Sequence, residues 1–414
     1  MKRRSILIID FVIYWSIIIV PFSMAISIAA MNVFAGFLLV GFLIKKAIKK
    51  EALFNKTALN KPLLILFAIT VLSLFNTIDL TDSLKGGVFK LLRYILVFFI
   101  ILQELKDAKH ARRAVFSMVF GVVFASLDGI WQVATGHDFV RGYEPIINLG
   151  LVRATASFKD ANTFGIYLSA IAPLLLGMTL FYFKRRARAL FIALSLLVLL
   201  AALLTYSRPT LLALYVALFF LAIARKNKGM IIFLVILTLL SPFLLPASIK
   251  EWAGKVEYNP IRFMCNDDRI AIYQHSFNMI KAHPLLGVGA NTYMKNYRFY
   301  KNSPEYRNIV TSDYIYAHNN FLHMAAEIGL AGLAVFFWLL YQLFRQGVNI
   351  YRKLQDDYLR VLSLSLSACL IAFLINGLTE SSLYYSRVSL LFWYLAGFSI
   401  ALKKFSDADR AKNS

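Results

Sequence analysis

Apolar runs of about 17–22 residues recur along this chain, separated by short basic segments, and they constrain its fold more than any other feature. A run of that length spans a hydrocarbon core of roughly 30 Å as a helix, and helices satisfy their own backbone groups there. Only 16% of residues are charged, too little polar surface for a soluble domain of 414 residues. The expected fold is therefore all-α, a polytopic transmembrane helical bundle forming one integral membrane domain over 1–414. About twelve spans are expected, near 6–25, 27–44, 62–78, 88–104, 114–134, 163–183, 188–205, 209–224, 229–247, 325–344, 361–378 and 387–402. The first two share one apolar stretch, broken only around Pro21 and Asn32. A cleaved signal peptide is the rival reading there, but the stretch is long for a signal core.

The net charge of +23 would suit nucleic acid if it were clustered on one domain. It is instead spread over alternate connections: Lys2–Arg4, Lys45–Lys61, Lys106–Arg113, Lys184–Arg188, Arg225–Lys228, Arg345–Arg360 and Lys403–Lys412 hold more than half of the 45 Lys and Arg. That is the positive-inside pattern. It places both termini in the cytoplasm, gives an even number of spans, and implies no nucleic-acid partner. Two cysteines, Cys265 in a loop and Cys369 in a span, do not form a disulfide framework, and no Cys/His metal spacing is present.

With that orientation, the long connection 249–324 lies on the outer face. It carries nine basic residues against the charge bias, and loops longer than about 15 residues usually have a task or elements of their own. A helix is expected from Asp267–Asp268 to Ala282, its opening acids suiting the helix dipole and His283-Pro284 ending it. Gly287-Val288-Gly289 reads as a turn, since no strand precedes it and no Gly-Lys-Ser/Thr follows.

Polar residues that are costly beside hydrocarbon gather on this outer face. Arg208, in Thr205-Tyr206-Ser207-Arg208-Pro209, either snorkels into headgroups or is held by the tight turn where a phosphate would sit. Arg269 stands in the first turn of the loop helix, where the dipole disfavours a cation; an anion, or a local pair with Asp267 or Asp268, accounts for it. His318, within Tyr316-Ala317-His318-Asn319-Asn320, is either structural or a base for a sugar hydroxyl. His323, five residues on, faces away from it. Arg141, Arg153 and Asn162 in the intermediate loop are candidate substrate contacts, although Asn162 is equally a helix N-cap. Asn319 and Glu380 complete the candidate binding set. Lys90 and Arg93, near the outer end of the fourth span, rank behind them.

Three features in this order carry a resemblance: Thr-x-Ser-Arg at 205–208; Arg269 followed by Pro284-Leu285-Leu286-Gly287-Val288-Gly289; and His318-Asn319 with Gly329. With the long penultimate outer loop and the twelve-span plan, the chain resembles the bacterial O-antigen ligase and polymerase family. The resemblance implies a GT-C-like membrane enzyme of the inner membrane, acting on the periplasmic face through the loop 249–324. It implies a metal-independent, inverting glycosyltransferase with no cofactor. The donor would be a glycan on an undecaprenyl-diphosphate carrier and the acceptor a lipid-linked glycan such as lipid A-core. By motif, Arg208 and Arg269 take the diphosphate and His318 is the base. Pro209 stands where many members have glycine, and no Thr-Thr pair follows Gly329; acceptor and subfamily stay open. A repeat-unit polymerase is the alternative. A transporter is the more distant one, because its charges would lie near the midplane, whereas here Asp128 is the only clear mid-to-late span acid.

Overall fold

The computed structural model describes residues 2–148, 150–244, 247–301 and 312–405. Residues 302–311 of the loop 249–324, and the basic residues beyond 405, lie outside this set. Among the described residues the protein is a helical bundle in which nine helices are long and apolar enough to cross a membrane, and three shorter apolar helices occupy the other expected positions. The labels used below are α1 (Lys2–Ile26), α2 (Ile28–Lys49), α3 (Asn60–Leu72), α4 (Phe89–Glu104), α5 (Ala108–Thr135), α6 (Ala161–Phe181), α7 (Arg185–Leu204), α8 (Arg208–Ala224), α9 (Lys228–Leu244), α10 (Asp267–Ala282), α11 (Asn320–Lys353), α12 (Asp357–Asn376) and α13 (Ser386–Ala401).

The first two helices form a tight hairpin. Their break falls at Ser27, whose Oγ caps α2 by accepting from the amides of Ala29 and Ala30 at 3.2 and 3.5 Å. Pro21, an expected break point, lies inside α1. At the far end of the hairpin, Lys45 is buried between Asp10 at 2.8 Å and Glu104 at 2.6 Å, so a cation among apolar helices is neutralised on two sides. Helices α6 and α13 are buried along almost their whole length, and α12 nearly so; they form the centre of the bundle. Small residues allow this density: Gly177 of α6 meets Ser365 of α12 so closely that an added Cβ would overlap the serine Oγ.

One small sheet departs from the all-α expectation. Ile146–Asn148 pairs antiparallel with Leu151–Arg153, Ile146 opposite Arg153. The buried side chain of Gln132 in α5 fixes the segment that follows. Its Oε1 accepts from the amides of Thr155 and Ala156 at 2.7 and 2.9 Å, and its Nε2 donates to the Tyr143 carbonyl at 2.9 Å.

The loop between α9 and α11 has a core of its own. Ile272 and Met279 of α10 pack with Val288, Tyr293 and Tyr297, against Ala325 and Ala326 of α11. Helix α10 runs from Asp267 to Ala282 as its sequence predicts. The Gly287–Gly289 turn does more than reverse the chain. Helix α11 is interrupted at Ile328 and Gly329 (φ 74°, ψ 175°), and the turn supplies the hydrogen bonds that the interruption removes. Val288 and Gly289 donate to the carbonyls of Ala326 and Glu327 at 2.9 and 3.0 Å, while Leu330 donates to the Pro284 carbonyl at 2.8 Å. A side chain at Gly329 would collide with the Leu285 carbonyl, and its positive φ suits glycine.

Candidate active site

Glu380 lies in the turn between α12 and α13 and is almost fully buried. An isolated carboxylate there would be costly, but this one has three partners. Oε1 accepts from the Arg269 guanidinium and from Asn162 Nδ2 at 2.9 Å. Oε2 lies 3.1 Å from His318 Nδ1. Burial opposes the charge, yet Arg269 and His318 outweigh it and hold the Glu380 carboxyl below its ordinary range. Burial likewise opposes the charge on Arg269, and Glu380 reverses the effect, raising that group above its ordinary value. The local partners open to Arg269 in the sequence are not used: Asp267 faces Arg262 at 3.8 Å instead.

His318 adopts a left-handed backbone, φ 47°, immediately before the cap of α11. Asn319 Oδ1 accepts from the amides of Phe321 and Leu322 at 2.9 and 3.0 Å, and its Nδ2 donates to the Leu378 carbonyl at 2.8 Å. Asn320 donates through its side chain to Ser382 Oγ at 2.7 Å and accepts from the Leu383 amide at 2.9 Å. These bonds tie the entry of α11 to the turn that carries Glu380. Tyr273 of α10 donates to the His318 carbonyl at 3.0 Å, so the loop helix also holds the histidine's backbone.

Arg153 leaves the small hairpin to donate through Nη2 to Asn162 Oδ1 at 2.8 Å and through Nε to the Thr205 carbonyl at 2.8 Å. Asn162 is not the cap of α6. Asp160 has that task, accepting from the Thr163 amide at 2.6 Å, and the Asn162 amide is left to bridge Arg153 and Glu380. The Thr205 carbonyl opens the turn Thr205–Arg208, where Tyr206 has φ 47°. Arg208 begins α8, donates to the Phe263 carbonyl, and lies over the Phe263 ring at 5.4 Å. Arg208 is within electrostatic reach of both Arg269 and Arg153.

Segments far apart in sequence thus bring Arg153, Asn162, Arg208, Arg269, His318 and Glu380 together at the loop end of the bundle. Arg141 is placed differently: it lies beside Tyr143, 3.3 Å from its hydroxyl, in the turn held by Asp138. Asn319 is adjacent, its Oδ1 used by the cap of α11 and its Nδ2 by the Leu378 carbonyl. Tyr273, which the sequence reading did not single out, is a contact of the site; only its helical register relative to Arg269, four residues earlier, pointed to it. Cationic groups predominate, and such an arrangement fits a strongly anionic ligand beside a histidine and a carboxylate. Among the described residues no three His, Cys, Asp or Glu side chains converge as a metal would require.

Residues 193–337, about a third of the chain, match the family model described as O-antigen ligase. The matched region contains Arg208, Arg269 and His318, whereas Arg153, Asn162 and Glu380 lie outside it. No curated protein is a significant match to the chain.

Proposed function

We propose that this member of the O-antigen ligase family transfers a glycan from an undecaprenyl-diphosphate carrier to a hydroxyl of a lipid-linked acceptor, on the periplasmic face of the inner membrane. The observation that carries the reading is the double engagement of Glu380, by His318 on one oxygen and Arg269 on the other. With Nδ1 donating to the carboxylate, Nε2 of His318 is left as the proton acceptor. It takes the proton of the acceptor hydroxyl as that oxygen attacks the anomeric carbon. The bond from that carbon to the diphosphate oxygen breaks, and its electron pair leaves with the diphosphate. Attack from the face opposite the leaving group inverts the anomeric centre.

Arg208, Arg269 and Arg153 supply fixed positive charge where the leaving group becomes more negative, so a metal ion is not needed for that task. Glu380 keeps two of these groups in register: it orients the histidine and fixes the guanidinium of Arg269. The donor brings its own activation in the diphosphate linkage. Ligase and repeat-unit polymerase share this chemistry and differ in the acceptor. The His318-Asn319 motif with its spacing to Gly329 favours the ligase.

Glycan analysis of a deletion strain, complemented by His318→Ala or wild type, tests the proposal. A ligase is expected to leave long carrier-linked chains that no longer reach their acceptor, restored by wild type and not by His318→Ala. Attachment of single repeats only indicates the polymerase. Full transfer by His318→Ala rules out the proposed base.

A further inference from the structure

The opening turns of α11 also present a face directed away from His318. His323 on that face is fully buried, stacked on Tyr384 with ring centroids 3.6 Å apart. Its ring nitrogens lie 3.1 Å from Ser381 Oγ and 3.3 Å from Glu327 Oε1. Next to this stack is a cavity of about 100 Å³ between α3, α4, α11 and α13, closed by the Ala290–Asn291 turn. None of the six residues of the candidate active site lines it.

The lining divides into polar and apolar parts. Lys90, Glu327, Tyr94 and Ser389 contribute the first; Leu66, Phe336 and Trp393 contribute the second. Lys90 donates to the Tyr384 carbonyl at 2.8 Å, and among the described residues no carboxylate lies within ion-pairing distance of it. Two of its three donors therefore remain for another group. The hydroxyls of Tyr94 and Ser389 are buried, at 3% and 1% exposure, and neither meets a hydrogen-bond partner among the described residues. Buried hydroxyls are nearly always paired, so two orphans among the lining of one cavity, beside a cation that no carboxylate reaches within ion-pairing distance, point to a ligand. Ser389 and Glu327 stand three and seven residues into their helices, roughly 5–10 Å below the helix ends at the usual rise. With these helix ends taken as the entries of the spans, that level is the one the headgroup and glycerol layer of a bilayer would occupy.

We propose that this cavity binds a single phosphate-bearing lipid. Its phosphate sits on Lys90, its ester oxygens accept from Tyr94 and Ser389, and a headgroup hydroxyl donates to Glu327. The first carbons of one chain lie against Leu66, Phe336 and Trp393. The inference rests on the membrane-spanning fold and does not depend on the transfer reaction.

Dioleoyl phosphatidylglycerol titrated into the delipidated full chain in detergent, with native mass spectrometry resolving the first bound lipid, tests this. Diolein, with the same chains and no phosphate, and inorganic phosphate alone serve as the other probes. Wild type is expected to bind one phosphatidylglycerol at least tenfold more tightly than diolein, and inorganic phosphate is expected not to displace it. Lys90→Gln is expected to weaken that first site tenfold or more. Tyr94→Phe removes only an unpartnered oxygen, so it is expected to keep the melting temperature and weaken the lipid several-fold. Lys85→Ala, at an exposed position outside the cavity, is expected to change nothing. Equal binding of diolein, displacement by inorganic phosphate, or unchanged affinity in both Lys90→Gln and Tyr94→Phe would overturn the proposal.

Discussion

His318 Nδ1 and Glu380 Oε2 stand 3.1 Å apart across 62 residues of sequence. In the proposed reaction this contact fixes which ring nitrogen is free to take a proton. Glu380→Gln keeps the size of the side chain and removes its charge. Transfer is expected to fall on the order of 100-fold, within the usual range for impaired general-base catalysis. His318→Ala is expected to fall at least as far, and the double variant little further, because the two groups act as one unit. Independent, multiplying effects in a purified transfer assay would contradict the pairing.

Arg269 and Glu380 form a largely buried ion pair, with side-chain exposures of 15% and 2%. Removing one member leaves the other buried and uncompensated. Arg269→Ala is therefore expected to cost about 3 kcal/mol of stability. Glu380→Gln added to it is expected to recover part of that loss, read as a rise in melting temperature over the single variant.

The pH dependence follows from the same carboxylate. Its folded value lies below the ordinary 4.5, so its contribution to stability is complete above that pH and is lost as pH falls through the lower folded value. The melting temperature is expected to show a fall below about pH 4.5 that is smaller in Glu380→Gln. Equal acid sensitivity in the two proteins would assign that fall to other groups.

Gly329→Ala tests the interruption of α11. The substitution forces a side chain onto φ 74° and into the Leu285 carbonyl. A loss of about 2 kcal/mol or more is expected from strained backbone together with overlap. Gly36→Ala, where an added Cβ has open space, is the contrasting variant; it is expected to be neutral or slightly stabilising.

Sidedness is checked by reporter fusion. A fusion after Lys255, in the short helix Ala247–Lys255, is expected to be active as alkaline phosphatase and inactive as a cytoplasmic reporter. The opposite result would put the proposed site on the wrong side of the membrane.

The helices were legible in the sequence because span length and hydropathy are local properties, and the ends of α10 were legible because acids and His-Pro mark them. Arg208, Arg269 and His318 stood out as polar groups in costly places. Glu380 was legible as a candidate binding residue but not as the shared partner of Arg269 and His318, since a charge in sequence does not name a distant counter-charge. The same limit left the role of Asn162 open: Asp160 and Asn162 are both competent cap residues, and only the positions of Arg153 and Glu380 show why Asn162 is used elsewhere. The break at Ser27 falls between the expected spans 6–25 and 27–44, whereas Pro21, read as an interruption, lies inside α1, because a membrane helix tolerates a proline that its neighbours re-satisfy.

The interruption at Gly329 also has a mechanical meaning. A continuous helix transmits tilt and rotation along its length, whereas one with missing ladder bonds bends at that point. The outer two turns of α11, with the histidine at their head, are fastened to the Pro284–Gly289 turn and to the segment around Leu378–Leu383. Leu330, just below the break, is held by the same turn, so a change of tilt in the lower helix is taken up at Gly329 and, in the proposed reaction, leaves the spacing between His318 and the arginines to the loop that carries them.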